Sequence, residues 1–171
     1  MTSKKTLLWL VPILTTVHNL EEAVFMPMVL ARRNSAIPTF LHSVLPPITY
    51  GQFLLALFTM TAIPYLIAWF ASREQERAGV GMLLLLSVQF MMFVNVFAHA
   101  VLALLMGGYS HGLVTALVIN LPFSIYFLHR AVREKWLGRR AMRFIIPTAL
   151  LFHGVGIPLI IILSGRLVNS I

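Results

Sequence analysis

Of the 171 residues, 59% are hydrophobic and 11% charged; mean hydropathy is +0.89, cysteine is absent and the net charge is +8. A soluble domain carries about 25% charge, so this composition excludes an ordinary water-soluble fold, and the missing cysteine excludes disulfides and thiolate chemistry. The positive charge does not indicate nucleic acid, because the basic residues sit between apolar runs, where they orient spans and meet anionic lipid.

A spanning helix needs about 20 largely apolar residues. Five runs meet that need, over about 6–31, 48–71, 79–106, 110–129 and 143–164. They predict an all-α polytopic membrane bundle in a single domain covering residues 1–171, with no internal repeat. The first run follows Lys4 and Lys5 and contains HNLEEAVFMP. It is too long for the apolar core of a signal peptide and no small-residue cleavage site follows, so it reads as a helix of the mature protein. Residues 34–47, with Pro38, Pro46 and Pro47, predict an interfacial loop or short helix. The second run closes on Ser72-Arg73-Glu74, and the third carries Gln89, Asn95 and His99 and closes on Gly107-Gly108. The fourth carries Asn120 and ends in a basic segment from Arg130 to Arg143; the fifth carries His153 in FHGVGIP.

Lys4, Lys5, Arg73, Arg77 and the six basic residues of 130–143 fall on one side, against Arg32, Arg33 and Arg166 on the other. Lysine and arginine concentrate on the cytoplasmic side, which predicts the N-terminus inside and the C-terminus outside.

Glu21 and Glu22 are two of only five acidic residues, and both fall within the first run. A carboxylate at bilayer depth costs at least roughly 2.5–3.5 kcal/mol, and two neighbours do not both stay ionised without compensation. No Lys or Arg lies deep in any run, which leaves protonation, histidine, amides, water or a metal ion. At 100° per residue Glu21 lies about 60° to one side of His18 and Glu22 about 40° to the other. His18 and Glu22 thus form an i,i+4 pair able to grip one ion, and Asn95 with His99 repeats that spacing on the third helix. In the predicted topology Glu22 and His99 match in height, and Asn120 and His153 lie near the level of His18. For Asn95, Asn120 and Gln89 the plainer reading is a hydrogen bond between helices. His153 is followed by glycines that simply permit close packing. His42 and His129 lie near interfaces, and His111, at a helix end, is a weak candidate. The methionines and phenylalanines read as packing or lipid-facing residues. A packing device would not need two adjacent acids.

The motif His18-Asn19-Leu20-Glu21-Glu22 resembles the defining motif of the HXXEE-domain family, small bacterial multi-helix membrane proteins of largely unknown function. Asn95-Val96-Phe97-Ala98-His99 resembles that family's second histidine region. Tyr109-Ser110-His111-Gly112-Leu113-Val114-Thr115-Ala116 resembles its Tyr-x-Pro-Gly-x-x-Thr-Ala stretch, with His111 where the pattern has proline. The resemblance spans most of the chain and implies a bacterial cytoplasmic-membrane protein. It supplies no reaction.

Three mechanisms follow from the residues. In the first, His18, Glu22 and His99 ligate a divalent metal, Glu21 serves as ligand or general base, and Asn95, Asn120 and His153 support them. Two carboxylates and one divalent cation are together neutral, and mixed N/O donors suit zinc, iron or manganese. The spacing is similar to H-x-x-E-H of inverted zinc peptidases, with Glu22 in place of the second histidine; the substrate would be a lipophile entering between helices. In the second, buried glutamates act as metal-free acid and base on a lipid-like substrate, as in an isomerase or cyclase. In the third, the cluster relays protons or holds a cationic ligand in a small transporter or binding protein. A Glu-Glu intramembrane protease is disfavoured by Met26, which stands where such a motif carries arginine.

Overall fold

The computed structural model describes residues 2–36, 48–73 and 79–169. It is all-helical, with no strand among the described residues. Among the described residues five helices follow in order: α1 (Lys4–Ala36), α2 (Tyr50–Arg73), α3 (Val80–Leu105), α4 (Leu113–Arg133) and α5 (Arg139–Val168). Four of them, α2 to α5, are long and apolar enough to cross a membrane. The sequence reading expected five such runs. The first, α1, has 33 residues but falls short in composition, because His18, Asn19, Glu21 and Glu22 interrupt its apolar character. It also runs through Ala36, beyond the expected end at 31; the rest of the segment expected over 34–47, with His42, lies outside the described residues.

The prolines leave local signatures. Pro27 has no N–H to give the carbonyl of Ala23 one turn earlier, and the Tyr50 hydroxyl donates to that carbonyl at 2.9 Å instead. Pro122 and Pro158 each stand just beyond a widened π-turn, Ala116–Asn120 in α4 and Phe152–Gly156 in α5. A proline ring clashes with the carbonyl four residues back and cannot bond to it. The chain answers by i→i+5 bonding, Leu121 N–H to the Ala116 carbonyl and Ile157 N–H to that of Phe152. Asn120 and His153 both sit on these turns, which widen a helix and re-aim its side chains.

Packing fills the two ends of the bundle and leaves a group of polar side chains between them. At one end Leu7, Leu8 and Val11 of α1 meet Ile67, Leu85, Leu86, Phe127 and Trp136. There the Arg130 guanidinium bonds the Thr2 carbonyl and Glu134, tying the N-terminus to the end of α4. At the other end Met26 and Val29 pack on Phe53 and Leu57. Between these layers α1 lies against α2 and touches α3 and the start of α4, while α5 packs on α3 with its first half and on α2 with its second.

Candidate metal centre

The middle of α1 presents His18 and Glu22 one turn apart. Their Nε2 and Oε1 atoms are 3.6 Å apart, and His99 from α3 brings its Nε2 to 3.2 Å from the same Glu22 oxygen. His18 is 1% exposed and the Glu22 side chain 12%. One donor atom from each of His18, Glu22 and His99 lies within 4.8 Å of the other two. Tetrahedral coordination with metal–ligand bonds of about 2.1 Å separates neighbouring donors by about 3.4 Å, so the observed 3.2 and 3.6 Å fit a shared cation.

Asn95, one turn before His99, points its amide into this group, 2.9 Å from His99 Nε2 and 3.3 Å from His18 Nε2. In one amide orientation it donates to both ring nitrogens; in the other it offers an oxygen donor at the same point. The second nitrogen of His18, Nδ1, lies 2.8 Å from Thr115 Oγ1 on α4. A ligating imidazole typically has its other nitrogen held this way, which sets its tautomer and aim. Ser110 donates to the His99 backbone carbonyl at 3.0 Å. The Nδ1 of His99 is buried with no partner among the described residues.

Glu21 faces elsewhere. Its carboxylate accepts the Val114 and Thr115 N–H groups at 3.0 and 2.7 Å, and the Tyr109 hydroxyl. Those amides belong to the first turn of α4, where backbone donors have no partner within the helix and a negative charge is favourable. Burial first, and then the adjoining carboxylate, push the Tyr109 phenol above its ordinary range, so it remains a donor. The sequence reading offered Glu21 as ligand or base beside the ion; its oxygens are instead engaged by α4, and it is not one of the three clustered donors. By holding Thr115 it fixes the partner of His18.

His111 corrects the reading in the opposite sense. Treated as a weak candidate at a helix end, it brings Nε2 to 3.9 Å from Glu22 Oε1, and its ring stands edge-on to His99 at 5.5 Å. Gly112 follows with φ of 74°, and a Cβ there would lie 2.9 Å from carbons of Glu22, His18 and His99 alike. Only glycine combines that backbone with so close an approach. The signal for this stretch was in the sequence, since Gly112 and Thr115 are patterned positions that touch the cluster and Tyr109 is the one that bonds Glu21. Their partners were not.

His18, Glu22 and Asn95 form one wall of a cavity of about 230 Å³ whose other lining is mostly apolar, including Leu57, Met60, Val88 and Ile160. His153 reaches the same cavity from α5. Asn120 is not among its lining residues; it is buried, and its amide nitrogen has no partner among the described residues. Gln89 donates to Ser124 at 2.6 Å, the helix-bridging role expected of an amide.

Residues 9–127 match the family described as "Protein of unknown function with HXXEE motif". The chain belongs to the HXXEE family. The match takes in His18, Glu21, Glu22, Asn95, His99 and the 109–115 stretch, and leaves out α5 with His153. No curated protein and no solved structure matches the chain.

Proposed function

We propose that this HXXEE protein is an integral-membrane metalloenzyme of the bacterial cytoplasmic membrane. It holds one divalent cation, zinc, iron or manganese, on His18, Glu22 and His99, and acts on a lipophilic substrate by hydrolysis or oxidation. The observation that carries this reading is the convergence of three mutually close donors, two of which, His18 and Glu22, line a mostly apolar cavity. A buried carboxylate is costly without a counter-charge, and a cation offsets that cost. When bound, such a cation polarises a substrate oxygen or activates water.

The protein's own residues divide the work. His18 is aimed by Thr115, and Glu22 supplies the charge that neutralises the cation. Asn95 is within reach as a fourth donor or as a hydrogen-bond donor to the substrate. Glu21 acts as a positioning residue through Thr115, and the apolar walls exclude bulk water from the reacting group. The geometry that favours a cation also suits a second, metal-free reading: at 3.2 Å, His99 and Glu22 are close enough to share a proton and serve as acid and base. In the membrane, α1 crosses with α2 to α5, the N-terminus lies inside and the C-terminus outside.

Elemental analysis of protein purified in mild detergent decides between these readings. About one equivalent of a transition metal in the wild type, lost in Glu22→Ala, is the expected result. A folded, active and metal-free wild type overturns the metal reading in favour of the acid–base one.

A further inference from the structure

The cavity has a second polar group that the proposed chemistry leaves unused. The first half of α5 packs on α3 and the second on α2, so α5 crosses the groove between them. The π-turn Phe152–Gly156 falls at that crossing, and Phe152, His153 and Gly156 line the cavity there. The second half is pinned by Gln52, whose amide donates to the Ile161 carbonyl at 2.8 Å. A Cβ at Gly165 would lie 2.6 Å from that amide, so the approach of α5 to α2 is close. On the α1 and α3 side the same cavity meets His18, Glu22 and Asn95.

His153 lines the cavity among mostly apolar neighbours. Its Nδ1 is closed off from that space, so Nε2 is the ring nitrogen left to meet a ligand there. An imidazole carries a donor, an acceptor or both at its ring nitrogens, and a polar atom facing an apolar space is best accommodated when a ligand supplies its partner. The cavity also says what fits within it. An apolar cavity of about 150 Å³ admits benzene, so one of about 230 Å³ has room for a short hydrocarbon segment or a single small ring.

We infer that the substrate is a lipophile with two oxygen functions separated by such a segment. Its reacting group meets the cluster on the His18 and Glu22 side, and a second hydroxyl or carbonyl oxygen bonds to His153. This inference rests on the metal reading above and adds the substrate class. It also gives α5, which the family match omits, the specificity-determining contact.

The test uses the full-length, zinc-loaded protein in mild detergent with straight-chain alkyl hydroxamates of increasing length, each paired with its ω-hydroxy analogue. The hydroxamate engages zinc, and the terminal hydroxyl probes for His153. Calorimetry should show one ω-hydroxy compound binding about fivefold more tightly than its plain partner, the effect of one net hydrogen bond. His153→Leu should abolish that preference while zinc content and plain alkyl affinity stay unchanged, and His153→Gln should retain part of it. No preference at any length in zinc-bound wild type overturns the inference, as does a preference that survives His153→Leu. A cavity satisfied by water alone gives the first of these results. A wild type that binds no zinc overturns the metal reading itself and is recognised separately by its elemental content.

Discussion

Gly112→Ala tests the site at its tightest point, with two other glycines of the same loop as controls. Gly112 has φ of 74°, and an added Cβ would meet carbons of His18, Glu22 and His99, each at 2.9 Å. Gly107 has φ of 61° with nothing within 4 Å of the same construction, and Gly108 is open with ordinary φ. Placing an L-residue in the left-handed region costs about 1–2 kcal/mol, and overpacking a filled interior adds about 1–3 kcal/mol. Gly108→Ala should therefore leave stability nearly unchanged, and Gly107→Ala should lose about 1–2 kcal/mol. Gly112→Ala should lose roughly 2–5 kcal/mol, the sum of both costs. Reversible unfolding in one detergent supplies the three differences, and zinc titration of each variant supplies a second readout. Only Gly112→Ala should weaken zinc binding, because only there must the ligands themselves move. If Gly112→Ala is no less stable than Gly107→Ala and binds zinc normally, the close approach of the 109–115 stretch to the cluster is wrong.

The other expectations concern the division of labour around the cluster. Glu22→Gln, His18→Ala and His99→Ala should each lose metal and activity together, since an amide is a poor ligand and alanine is none; elemental analysis beside a folding check reads this, and metal retained in all three refutes the ligand set. Glu21→Gln should keep most of the metal yet lower stability by about 1 kcal/mol, as expected for a weakened helix cap. A Glu21→Gln variant of unchanged stability that loses only turnover would restore Glu21 as a general base. Thr115→Val removes the partner of His18 Nδ1 and should weaken metal binding about 10- to 100-fold, whereas unchanged affinity would make that hydrogen bond incidental. A C-terminal reporter active only in the periplasm is expected; one active only in the cytoplasm reverses the proposed orientation.

What the amino-acid sequence determined by itself is what depends on neighbours along the chain. The apolar runs had to become helices, since a spanning segment must satisfy its backbone internally. The i,i+4 spacings put His18 with Glu22 and Asn95 with His99 on shared faces, and the 100° between Glu21 and Glu22 already separated their directions. Tertiary structure decided where those directions lead. Glu22 meets His99 and His111 because α3 and the turn before α4 pack there, while Glu21 meets the unpaired amides of the α4 first turn. His111 looked peripheral because position at a helix end says nothing about which helix lies opposite. The π-turns carrying Asn120 and His153 were legible in principle from Pro122 and Pro158. Only the crossing of α5 over α2 and α3, however, decided that His153 lines the cavity. Local spacing sets the face a side chain occupies; its partner is set by close packing between helices, a property of the whole bundle.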